Sequence, residues 1–96
     1  MNAEIDNFIA SNKVAIISKS YCPYCTMAKK AFQQAKIPFG SLEIENRKDC
    51  AQIQDYMKQK TGAQSVPRVF VNGNFIGGGD EVVAMMRSGE LQKMCQ

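Results

Sequence analysis

The 96-residue chain has no histidine, which removes a common metal ligand. A zinc site would need four converging donors, and Cys50 and Cys95 form no second close pair to set beside Cys22 and Cys25. A structural zinc module therefore stands only as a rival that metal analysis would expose. No long apolar run is present, so no membrane span is expected. The acidic opening MNAEIDNFIASNK lacks the pattern of a secretory signal. No Lys/Arg cluster is interleaved with aromatics, and nucleic acid is not an expected partner. The net charge of +3, from 12 basic and 9 acidic residues, is a mild bias that helps to recruit anionic ligands. No linker, repeat or low-complexity tract divides the chain. One domain over residues 1–96 is expected, with a core large enough to need no external staple. These absences point to a cytoplasmic, reducing setting, in which four cysteines are better read as working thiols than as a disulfide framework.

What is present alternates helix and strand. Ile5, Phe8 and Ile9 follow helical spacing, and Asn12 is placed to end that first helix. VAIIS, residues 14–18, is apolar without alternation, as in a central strand covered on both faces. Pro23 suits the first turn of a second helix, whose Ala28, Ala31, Phe32 and Ala35 share one face until Pro38 stops it. FGSLEI reads as a second strand. Cys50, Ile53, Met57 and Lys60 define a third helix ending near Gly62. RVFV, Asn72-Gly73 and NFI carry the strongest local signal, a tight hairpin. After a glycine run, Val82, Val83, Met85 and Met86 mark one last helical stretch. The order predicts an α/β fold, a mixed sheet with helices on both faces.

Within that frame the stretch SKSYCPYC, residues 18–25, places Cys22 where the first strand ends and the second helix begins. The unpaired N–H groups and positive dipole end of that helix stabilise a thiolate there, and Lys19 adds charge nearby. Pro23 helps to hold the turn. Cys25, one turn further on, sits deeper. Cys22 is thus assigned as nucleophile and Cys25 as resolving thiol. Spacing alone is weak evidence, since four scattered cysteines give some such pair roughly one time in eight; the strand-to-helix junction and Pro23 make it specific.

A very acidic thiol gains little in attack. Full ionisation raises the thiolate fraction roughly thirtyfold over that of an ordinary thiol at neutral pH, while a drop of about four pKa units weakens each thiolate roughly forty- to a hundredfold as a nucleophile. Departure gains more, because a low-pKa sulfur leaves a mixed disulfide faster. Cys22 is suited to a cycle in which it attacks first and leaves later.

CPYC, SVPRVFVNGNFIGGGDE and the element order together resemble a dithiol glutaredoxin over nearly the whole chain. CPYC separates it from the CGPC of typical thioredoxins and the CGFS of monothiol glutaredoxins. The resemblance implies a thioredoxin fold with a four-stranded mixed sheet flanked by helices on both faces. It implies an enzyme that uses glutathione as co-substrate, with no metal, to reduce glutathionylated and disulfide-containing proteins, and a monomer is expected. Carried over by motif, the bond between Val66 and Pro67 is cis and lies beside the dithiol, so that the Val66 backbone pairs with glutathione like an added strand. Gly77, Gly78 and Gly79 let the backbone approach a ligand. The N–H groups around Asp80 and Glu81 hold the γ-glutamyl carboxylate, with both acids available to its ammonium group, while Asp80 also suits a plain helix cap. Lys19 and Gln54 match positions that contact the glycine end, Tyr24 flanks the groove, and Arg68 is a weaker candidate at its rim. Ser65 replaces a threonine common among relatives and keeps the hydroxyl. Cys50 reads as a small core residue, Cys95 as an exposed thiol.

Two routes follow. In one, Cys22 alone takes glutathione from a protein mixed disulfide and a second glutathione releases it. In the other, Cys25 closes onto Cys22 and glutathione opens the resulting disulfide. The rivals are a glutathione-ligated iron–sulfur cluster carrier, against which Pro23 and Tyr24 argue, and a thioredoxin-like protein disulfide reductase, which would not need Lys19, Gln54 and Asp80.

Overall fold

The computed structural model describes residues 2–96. Its elements are α1 (Ala3–Ser11), β1 (Val14–Ser18), α2 (Pro23–Gln34), β2 (Gly40–Glu43), α3 (Cys50–Thr61), β3 (Arg68–Val71), β4 (Asn74–Gly77), α4 (Gly79–Ser88) and α5 (Glu90–Met94). The strands form one sheet in the order β2-β1-β3-β4. β1 pairs in parallel with β2 and antiparallel with β3, and β3 and β4 form an antiparallel hairpin. This is the four-stranded mixed sheet of the thioredoxin fold. Among the described residues no helix is long and apolar enough to cross a membrane.

Every residue of β1 is buried, because successive side chains enter opposite cores. Val14 and Ile16 join Val69 and Val71 under Ala28, Ala31 and Phe32 of α2, Val82 of α4 and Leu91 of α5. Ala15 and Ile17 join Phe70 and Ile44 under Ile5 and Ile9 of α1 and Ile53 and Met57 of α3. At about 25 cal/mol per Å² of apolar surface removed from water, each buried Val, Leu, Ile, Phe or Met among these contributes roughly 1.5–3 kcal/mol. The dithiol stretch emerges from the end of the strand both cores clamp, so its starting point is rigid.

Asn72 (φ 52) and Gly73 (φ 84) both take the positive φ that a tight hairpin turn requires. Elsewhere the structure departs from the sequence reading in three local ways. α2 ends at Gln34, before Pro38, because Lys36 turns left-handed (φ 59) and Ile37 N–H closes back on the Phe32 carbonyl. The last helical stretch is two helices, split at left-handed Gly89, which lets α5 swing Leu91 into the core at 0% exposure. The residue that opens α4 is Gly78 rather than Asp80.

Candidate active site

The chain leaves β1 at Ser18 and turns through residues 19–21 into α2, with Cys22 at the N-cap (φ −83, ψ 121) and Pro23 in the first turn. Cys22 N–H donates to the Lys19 carbonyl at 3.1 Å. The Ser20 N–H (3.2 Å) and hydroxyl both donate to the Glu45 carboxylate just beyond β2, tying the turn to the sheet edge. The Cys22 side chain is partly exposed, whereas Cys25 is wholly buried.

Burial, the largest single influence on Cys22, opposes its ionisation. It is outweighed by the Cys25 N–H and thiol, the Tyr24 N–H and the charge of Lys19, and Cys22 is held below the value of an ordinary thiol. At Cys25 burial wins. It pushes that thiol up, against the Ser18 hydroxyl and the Lys19 N–H that favour its anion, and the neighbouring Cys22 pushes it further. The Lys19 N–H reaches the Cys25 Sγ at 3.5 Å. One thiol is therefore accessible and acidic and the other sealed and weakly acidic, the division that a nucleophile and a resolving thiol require.

Val66–Pro67 is cis, and the Val66 carbonyl oxygen lies 3.8 Å from the Cys22 Sγ, which donates to it. A cleft of about 290 Å³ opens beside this contact. Tyr24 forms one wall, Ser65 to Arg68 another, and Gly78 to Glu81 the third. The structure thus brings Tyr24, Val66, Pro67, Gly79, Asp80 and Glu81 together next to Cys22. Within that group Glu81 is partly committed, since its Oε1 accepts the Gly78 N–H at 2.7 Å and caps α4. Asp80, in the first turn of α4 and exposed, is among the residues that line the cleft.

Lys19 and Gln54 do not line this cleft. Lys19 acts on Cys22 through its charge and on Cys25 through its N–H. The Gln54 side chain is held by the protein itself, donating to the Gln64 carbonyl at 3.1 Å and accepting from the Cys50 thiol at 3.6 Å. It braces the loop that leads to Val66. Cys50 packs at the edge of the core between α1, α3 and the sheet, and Cys95 is partly buried rather than exposed. Arg68 is more than a rim charge. Its guanidinium stacks 5.1 Å over the Phe75 ring and donates to Ser65 (3.3 Å) and Thr61 (3.5 Å), with burial pushing its pKa down.

The sequence reading missed Ser18, which is 0% exposed and lies against Cys25. The available signal was a hydroxyl closing an otherwise apolar strand. It also missed Glu45, whose role depends on a contact across the sheet.

A protein-family model described as Glutaredoxin matches residues 14–76. Glutaredoxin-1 of Rhizophagus irregularis is 37% identical over 90 residues, 94% of this chain and 89% of that protein. The crystal structure of oxidized glutaredoxin 2 from Chlamydomonas reinhardtii superposes with a TM-score of 0.90 at 49% identity, covering 95% of this chain and 86% of that one. A buckwheat glutaredoxin–glutathione complex superposes with a TM-score of 0.90 at 36% identity, covering 96% and 84%.

Proposed function

Because the chain belongs to the glutaredoxin family, whose members are glutathione-dependent thiol-disulfide oxidoreductases, we propose that it reduces protein–glutathione mixed disulfides through Cys22 alone and protein disulfides through Cys22 with Cys25. The observation that carries this reading is the unequal pair: a partly exposed Cys22 held acidic at the mouth of α2, backed by a sealed, weakly acidic Cys25.

In the first route the Cys22 thiolate attacks the glutathione sulfur of a mixed disulfide. The protein thiol leaves, and glutathione becomes bound to Cys22. In the cleft the tripeptide lies along Val66, with its γ-glutamyl carboxylate at the N–H groups that open α4 and its ammonium group at Asp80. The Val66 carbonyl beside Cys22 supports this pose. A second glutathione thiolate then attacks the bound glutathione sulfur, and Cys22 departs as a thiolate. Its low pKa makes it a good leaving group, so this step gains from the acidity that attack does not reward. In the second route Cys22 attacks a protein disulfide, Cys25 closes onto Cys22, and two glutathiones restore the dithiol.

The test is glutathione-coupled reduction of a small glutathione mixed disulfide by the wild type, Cys22→Ser and Cys25→Ser. Cys22→Ser abolishes turnover and Cys25→Ser retains it. Equal loss, or equal activity, in both variants refutes the assignment.

A further inference from the structure

Cys25 is a poor leaving group on its own: burial raises it, and a high-pKa sulfur departs slowly. Yet in the dithiol route it must depart, into the protein interior, each time glutathione opens the Cys22–Cys25 disulfide. Something must receive the charge.

The residues beneath Cys25 form a polar group that the mechanism above leaves unused. Ser18 closes β1 and is register partner of Glu43 on β2, so both side chains point to the α2 face of the sheet. There Lys29 of α2 pairs with Glu43, and the Ser41 hydroxyl donates to the same carboxylate oxygen, Oε1, at 2.9 Å. The other oxygen, Oε2, is buried and has no hydrogen-bond partner among the described residues; neither has the Ser18 hydroxyl. Ser18 adjoins both the Cys25 thiol and the Glu43 carboxylate, aligned with neither. A buried unpaired hydroxyl costs about 1–3 kcal/mol, and such a group in a core strand gives no structural return.

We propose that the Ser18 hydroxyl is a rotating donor which, with the Lys19 N–H, forms a two-donor cradle for the sulfur of Cys25 as it leaves the Cys22–Cys25 disulfide. The inference rests on the dithiol route of the preceding section. While Cys25 is neutral or disulfide-bonded, the hydroxyl proton has no bonded acceptor and is free to turn. A glutathione thiolate then attacks Cys22 Sγ, the S–S bond breaks, and its electron pair moves onto Cys25 Sγ. The hydroxyl turns to donate to the new anion, joining the N–H already 3.5 Å from that sulfur. Donors placed where charge develops act as an oxyanion hole does. Solvent finally supplies the proton that makes Cys25 a thiol. A second glutathione attacks the glutathione sulfur on Cys22, so two glutathiones are oxidised to glutathione disulfide for one protein disulfide reduced.

The test compares two rates on one protein, wild type and Ser18→Ala: opening of the preformed Cys22–Cys25 disulfide by glutathione, and deglutathionylation of a small mixed disulfide, which Cys22 carries alone. Loss of one charge-assisted hydrogen bond lowers the ratio of opening to deglutathionylation about tenfold. Ser18→Ala also removes a buried unpaired hydroxyl, so it melts at or above the wild type. An unchanged ratio overturns the inference, and so does a lower melting temperature, which makes Ser18 a structural residue. A wild type that never closes a Cys22–Cys25 disulfide overturns the dithiol route itself, a different and separately visible failure.

Discussion

Gly79→Ala tests whether the cleft and the thiolate depend on one close approach. Gly79 is buried where the first turn of α4 meets the first turn of α2. A Cβ at this position would lie 2.8 Å from the Tyr24 carbonyl oxygen, 3.2 Å from the Tyr24 Cβ and 3.4 Å from the Tyr24 carbonyl carbon. None of these atoms is the end of a flexible side chain, so the two helices must part by roughly 0.5 Å to restore van der Waals contact. Overpacking of this kind costs about 1–3 kcal/mol. Alanine recovers about 0.5–1 kcal/mol over glycine in a helix, which leaves a net loss of roughly 0–2.5 kcal/mol. For a domain of this size each kcal/mol shifts the melting temperature by about 4–8 °C, so a fall of up to about 20 °C is expected by calorimetry.

The same displacement reaches the chemistry. The N–H groups of Tyr24 and Cys25 are among the influences that keep Cys22 acidic, and both lie in the turn that the new methyl pushes. The pH midpoint of Cys22 alkylation by iodoacetamide therefore rises in Gly79→Ala, toward that of an ordinary thiol. A variant that melts with the wild type and alkylates with the same midpoint refutes the close approach and the coupling built on it.

Three further outcomes are expected. Lys19→Gln removes a charge that lowers the Cys22 pKa, so the alkylation midpoint rises; the rate falls about two- to fivefold at neutral pH and recovers above the midpoint, where both proteins are ionised. A deficit that persists at high pH would show that Lys19 acts otherwise. Burial, the largest influence on Glu43, raises its carboxyl, but Lys29, Ser18 and Ser41 together outweigh it and hold it below its ordinary value; its contribution is whole above the usual carboxyl pKa near 4.3 and is lost as pH falls through the lower folded value, so Lys29→Met flattens the loss of urea stability below about pH 5. Glu81→Ala deprives the Gly78 N–H of its acceptor and costs about 1 kcal/mol in urea unfolding, with faster amide exchange in the first turn of α4.

The sequence makes the dithiol legible because its determinants are consecutive: a buried strand, a proline suited to the first helical turn, and a cysteine between them. The hairpin is legible for the same reason, since Asn72-Gly73 carries its own backbone requirement. The start of α4 is not, because a run of three glycines before Asp80 fits a start at several positions. Side-chain capping rules choose Asp80, while the fold uses Gly78 and caps it from the far side with Glu81. The cis bond at Pro67 is legible only through the family resemblance, as about 5% of such bonds are cis. Contacts across elements leave no periodic trace at all. Gln54 looks like a solvated helix residue until the Gln64 carbonyl is placed beside it, and Glu45 like any surface acid until Ser20 folds onto it. Ser18 lies between these cases: its polarity in an apolar strand is plain, but its purpose depends on Cys25 and Glu43, which the chain reaches only after a helical turn and then a full crossover. A polar residue that breaks a buried run is therefore best held as an open question about what the topology will bring against it.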